Sequence, residues 1–198
     1  MNFLAYPLWV NLLLVVPIVF WFYWRKNKIN IDFPQLLFVT FFGIAFGFIE
    51  CACVIYIRAS TNFLPGYSGS LGEVQKQSIN FFATHQLFTE KMPLSLLTVE
   101  VFREAGTIIM LVMLACIATK YIKERIAFFL LAFALWDLFY YVFLYLTVRW
   151  PQSLTTKDIL FLIPQPWIAE VWLPMLVDIL IITAIFFNTA NKNQSSLS

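Results

Sequence analysis

Charge is scarce in this chain. Lys, Arg, Asp and Glu make up 12% of its 198 residues, against ~25% in an ordinary soluble domain. The net charge is only +2 and no basic tract breaks the sequence, so a nucleic-acid-binding surface is excluded. There is one histidine, His85. That rules out a His-rich metal site within one chain and the paired Glu-x-x-His pattern of bridged di-iron bundles. The three cysteines, at 51, 53 and 116, all lie in apolar runs. They cannot make a disulfide framework without a leftover thiol, and they read as small apolar side chains. Gly-x-Ser-x-Gly, His-Glu-x-x-His, an Asp-x-x-Asp-Asp cluster and a nucleophile–His pair are all missing, so the common hydrolase chemistries have no footing. No internal repeat is visible, and only the C-terminal end is of low complexity.

What the chain has is apolar length. It is 61% hydrophobic, with 22 Phe, 8 Tyr and 7 Trp and a mean hydropathy of +0.80, the composition of a polytopic membrane protein. A span needs ~20 mostly apolar residues. Five segments qualify: 4–24, 34–57, 98–119, 126–148 and 167–187. The expected fold is an all-α transmembrane helix bundle, one domain over 1–190 with a polar tail at 191–198. The first run, MNFLAYPLWVNLLLVVPIVFWFYW, has no basic region before it and no small-residue cleavage site after it, which reads as a retained span rather than a signal peptide.

The short connections RKNKINIDF (25–33) and KYIKER (120–125) concentrate Arg25, Lys26, Lys28, Lys120, Lys123 and Arg125. Basic short loops mark the cytoplasmic side. With five spans both loops fall on one side, so the N-terminus is expected outside and the C-terminus in the cytoplasm of a cell's inner (plasma) membrane. The connections 58–97 and 149–166 then face outward. In the first of these, Ser70 and Glu73 fit a capping box, followed by Val74, Ser78, Phe81, Phe82 and His85 at near-helical spacing. This predicts an interfacial helix over 71–88, with His85 at the interface. In the second, Thr156 is expected to cap a short helix, KDILFLI. Pro164 and Pro166 then break the chain, and Trp167 sits at the interface.

Charges inside spans are costly, about 2.5–3.5 kcal/mol each on insertion scales, and usually face inward. Gly43, Gly47 and Glu50 share one face of the second span, at four- and three-residue steps. The glycines let another helix come close, and Glu50 lies ~10 Å below the outer end at ~1.5 Å per residue. In the third span, Glu100, Arg103, Glu104 and Thr107 fall within an arc of about 100°. In the fourth, Asp137 has Tyr140 and Tyr141 on its side of the helix. In the fifth, Asp178 is near mid-depth. Pro174 cannot bond the carbonyl of Glu170, which leaves an acceptor beside both acids. Each feature also has a bland reading. Glu100 can sit in the headgroup layer at a helix start. Arg103 can pair with Glu104 or Glu50 as a structural ion pair. Asp137 can belong to a satisfied cluster with its tyrosines, and Asp178 can stay neutral and merely be tolerated.

Their shared depth and facing point instead to one polar chamber lined by Glu50, Arg103, Glu104, Asp137, Tyr141 and Asp178, with Glu100, Thr107 and Tyr140 at its edges. Three chemistries fit such a chamber. It can bind a cation, with Glu50, Glu104 and Asp137 as oxygen ligands if the cation is a metal. It can carry a small polar ligand with proton coupling, since clustered acids titrate as one coupled group; five spans are few for a transporter, so this needs a homo-oligomer. It can act as an enzyme on a membrane lipid or lipid-linked substrate, two acids serving as general acid and base and Arg103 holding a phosphate or carboxylate. Binding of a cation or small polar ligand is the expected role, with the lipid enzyme and a structural or assembly subunit of a membrane complex as alternatives. The blocks GFIEC, VEVFREAGTIIML, LWDLFYY and FLIPQPW resemble those of bacterial polytopic inner-membrane proteins of uncharacterised function. That resemblance implies the membrane but no activity or cofactor.

Overall fold

The structure is a computed structural model and describes residues 5–60 and 94–189. The expected interfacial helix at 71–88, its capping box, His85 and the tail at 191–198 lie outside the described residues. The chain opens with a two-residue strand, β1 (Ala5–Tyr6), and a 3-10 helix (Leu8–Leu14) that continues into α1 (Val15–Lys26). Then come α2 (Phe33–Ser60), α3 (Leu94–Ala118), α4 (Ile122–Val148), β2 (Lys157–Phe161), β3 (Trp167–Glu170) and α5 (Trp172–Asn188).

Among the described residues, four helical segments are long and apolar enough to cross a membrane: Leu8–Lys26, Phe33–Ile57, Leu94–Ala118 and Ile122–Val148. They match the first four expected spans to within a few residues. The fifth begins five residues later than expected, and α5 is shorter, at 17 residues. Seventeen residues rise only ~25 Å at ~1.5 Å each, against a hydrocarbon core of ~30 Å. β3, in extended chain, directly precedes it.

This overturns the expected short helix at KDILFLI. The segment is a strand, antiparallel to β3, with Asp158 opposite Ala169 and Lys157 opposite Glu170. β3 also pairs with β1, Ala5 opposite Ala169, to complete a three-stranded sheet in the order β1–β3–β2. Thr156 caps no helix. It closes a turn, its Oγ1 accepting the Ser153 N–H at 3.1 Å, and its carbonyl accepts the Val171 N–H at 2.9 Å. Run length explains the outcome: ILFLI is a short apolar run between turn residues, and such runs suit strands better than helices. Glu170 therefore sits in the sheet. Pro174 occupies the first turn of α5, where no N–H is needed, so the expected free carbonyl beside the acids does not arise.

The helices are assembled around α4. Its buried face runs through Phe128, Leu131, Ala132, Leu135 and Trp136, with α2, α3 and α5 packed on it and α1 packed on α5. The contact with α2 is the closest, and the glycine pair explains why. A Cβ on Gly43 would lie 2.7 Å from Leu135 Cβ, and one on Gly47 2.8 Å from the Trp136 carbonyl oxygen. The small face of α2 thus meets α4 backbone to backbone, as in close-packed membrane helices, and this seats Glu50, one turn on, over α4.

At the basic end the loops interlock. The Ile29 N–H donates to the Asn188 carbonyl at 3.1 Å, and the Asn30 N–H donates to the buried Glu124 carboxylate at 3.3 Å. The sheet closes the opposite end. We predict that Gly47→Ala lowers stability by ~1–3 kcal/mol, the usual cost of overfilling a packed contact, because the new methyl meets backbone that cannot turn away. Equilibrium unfolding in detergent measures it, and Gly106→Ala, at a position where an added Cβ meets nothing within 4 Å, serves as the neutral control.

Candidate functional site

At the sheet end, the helices and the hairpin surround a polar pocket, called the chamber below. Its walls are Glu50, Val54 and Ile57 of α2, Glu100, Arg103 and Glu104 of α3, Trp136, Asp137, Tyr140 and Tyr141 of α4, and residues 158–162 of the hairpin. The enclosed volume is about 80 Å³, enough for a few waters or one small head group.

Arg103 holds the centre. Its Nε donates to Glu100 Oε2 at 2.9 Å and its Nη2 to Glu100 Oε1, while Nη1 donates to Glu50 across the chamber. The planar fork suits two carboxylates at once. The i,i+3 spacing of Glu100 and Arg103 on α3 makes one arm local, and Glu50 on α2 makes the other long-range. Glu100 is therefore a buried partner of Arg103, 8% exposed. The expected ion pair of Arg103 is made with Glu50 and extended to Glu100.

Glu104, one helical step on, turns to the hairpin and accepts the Leu162 N–H at 2.9 Å. Asp158 reaches in from β2. Strand alternation turns Lys157 outward and Asp158 inward, where it is 1% exposed. Its Oδ2 accepts the Tyr141 hydroxyl at 3.1 Å and its Oδ1 the Ile159 N–H at 2.9 Å. Tyr141 thus serves the hairpin acid. Phe161 fastens the hairpin to α4, stacked on Phe133 with ring centroids 6.1 Å apart and packed on Trp167 at 5.5 Å.

Asp137 stands at the back of the chamber and meets Asp178 of α5. Two carboxylates are acceptors only, so their contact needs a proton between them or a donor from elsewhere. Asp178 Oδ2 is buried with no hydrogen-bond donor among the described residues. Behind Asp137 lies a second space of about 550 Å³, largely apolar, lined by residues of the first helical segment, α3, α4, the hairpin and α5. Asp137 lines both spaces, which is why this residue at mid-helix is only partly buried.

Of the expected site residues, Glu50, Glu100, Arg103, Glu104, Asp137, Tyr140 and Tyr141 line the chamber. Asp178 joins through Asp137 from the apolar side. Thr107 does not take part: it is buried, and its hydroxyl donates to the Arg103 carbonyl at 3.1 Å on its own helix. Asp158 is the residue the sequence reading missed. The expected metal set, Glu50, Glu104 and Asp137, does not gather. Among the described residues, no three His, Cys, Asp or Glu side chains come together in a way that could hold a metal ion.

No protein-family model matches the chain. Neither the curated proteins nor the solved structures contain a match.

Losing one member of the Arg103 triad leaves a buried charge alone, a loss of ~3–5 kcal/mol. Arg103→Met is expected to fall in that range. The triple variant Arg103→Met, Glu50→Gln, Glu100→Gln is expected to recover most of it, because all three charges go together. Unfolding midpoints of the two variants side by side decide this.

Proposed function

We propose that this chain is a multi-pass protein of a cell's inner (plasma) membrane that binds a small cationic or hydrogen-bond-donating solute in the acidic chamber. The observation that carries this reading is the imbalance of the lining: among the described residues, Glu50, Glu100, Glu104, Asp137 and Asp158 share it with one guanidinium, that of Arg103. A cavity rich in oriented acceptors and short of donors favours a ligand that brings positive charge and N–H or O–H groups. The acids are strung along the wall rather than gathered around one point, which suits a polyatomic cation such as an ammonium better than a bare metal ion. A cation arriving at Asp137 also competes with the proton that the Asp137–Asp178 contact requires, so binding carries proton coupling.

The orientation rests on charge. The basic loops lie at the end of the bundle away from the chamber, and the positive-inside rule puts that end in the cytoplasm. The chamber then faces outward with the N-terminus. Five crossings follow once β3 and α5 are counted together, and the resemblance of the GFIEC, VEVFREAGTIIML, LWDLFYY and FLIPQPW blocks favours a bacterial inner membrane.

Two measurements test this reading. Methylammonium titrated into the purified protein and followed by calorimetry is expected to bind. Glu104→Gln and Asp137→Asn are each expected to weaken it by about 10- to 100-fold, the worth of a charged hydrogen bond of ~1.5–3 kcal/mol at ~1.4 kcal/mol per decade. No heat of binding, or affinities indifferent to both changes, overturns the chamber reading. For orientation, the native cysteines are replaced by alanine and single cysteines are placed at Lys123 and Ser153. A membrane-impermeant maleimide applied to intact cells is expected to label position 153 and spare 123.

A further inference from the structure

The apolar space behind Asp137 is not absorbed by the binding of a small solute. It holds about 550 Å³, within the ~300–1,000 Å³ of ordinary small-molecule sites. It is too apolar for a polar solute and much larger than the chamber. Its lining is drawn from Val16, Ile108, Phe133, Val177 and Ile181, hydrocarbon on every side. On its rim stands Ile109, 60% exposed and near the middle of α3, so the space opens on a flank of the bundle at membrane depth. Its charged residues are Asp137 and Asp178. The Trp167 indole N–H, on the same lining, is a buried donor with no acceptor among the described residues, and Asp178 Oδ2 is a buried acceptor with no hydrogen-bond donor among them. Asp137, Leu160 and Phe161 belong to both spaces, so the apolar groove and the acidic chamber lie back to back across these three side chains.

We propose that the occupant is a single-chain amphiphile with an amine head, its alkyl chain in the groove and its ammonium at Asp137 and Asp178, entering sideways past Ile109. The inference rests on the chamber reading and names the ligand class. Charge decides the head: the groove holds two acids and lies against an acid-rich chamber, so a carboxylate or phosphate head would meet like charge. Shape decides the tail: the space is hydrocarbon-lined and open at lipid depth. The ammonium supplies the donor that Asp178 Oδ2 requires, which an ordinary acyl chain filling the same space cannot do.

The test uses the full chain in phosphatidylcholine nanodiscs and dodecylamine carrying a mid-chain diazirine. Irradiation followed by peptide mass spectrometry is expected to place adducts on groove residues such as Val177 and Ile181. The Asp137→Asn, Asp178→Asn double variant is expected to lower that labelling at least tenfold, and the matched dodecanoate probe to label at least tenfold less than the amine. Ile109→Trp, at an exposed position that folding tolerates, is expected to cut amine labelling while leaving methylammonium binding intact. If dodecanoate labels the groove as strongly as the amine, or labelling ignores the Asp substitutions, bilayer chains merely fill the space and the inference is overturned. Should that occur while methylammonium still binds, only the amphiphile is lost. If methylammonium fails as well, the chamber reading falls with it.

Discussion

The bundle is organised by one guanidinium. α2 and α3 each pack on α4, and Arg103 ties them to one another by holding Glu100 on its own helix and Glu50 on the other. In a low-dielectric setting such a group cannot be left half-satisfied, because an unpaired buried charge costs far more than a pair contributes. The triad therefore restricts how α2 and α3 can sit. With those helices placed, Glu104 falls opposite the hairpin and Asp137 opposite α5. The remaining acids of the chamber are positioned by a contact in which they take no part.

The hairpin shows how a membrane bundle can finish a polar site with β-structure. Backbone groups shut away from water must find partners. β2, β3 and β1 do so by pairing with each other, and the Leu162 N–H does so by donating to Glu104. The same pairing fixes the alternation that sends Asp158 inward and Lys157 outward. The sheet is thus both the cover of the chamber and the source of one of its acids.

How much of this was legible in the sequence follows from periodicity. Gly43, Gly47 and Glu50, and likewise Glu100, Arg103 and Glu104, lie on long helices whose facing can be read at helical spacing, so their convergence was visible in advance. Thr107 shared that face, yet its hydroxyl bonds its own backbone, a local option that spacing does not reveal. Asp158 was hidden because KDILFLIPQPW is too short and too apolar for periodicity to separate helix from strand. The pairing of β1 with β3, which settles the matter, joins residues at opposite ends of the chain. Glu124 was hidden for a different reason: within KYIKER it stands among basic residues, and its burial beside Lys123 also rests on the Asn30 N–H, which only the fold brings to it.

The far half of the bundle gives the chamber its character. Below Asp137 the interior is filled with Trp24, Ile29, Phe128, Leu131 and Ile185, none of them exposed at all, and the loops beneath are laced together through Asn188 and Glu124. The cavity is therefore a blind pouch standing on a dry plug. Any route from it to the opposite face would run through these fully buried side chains.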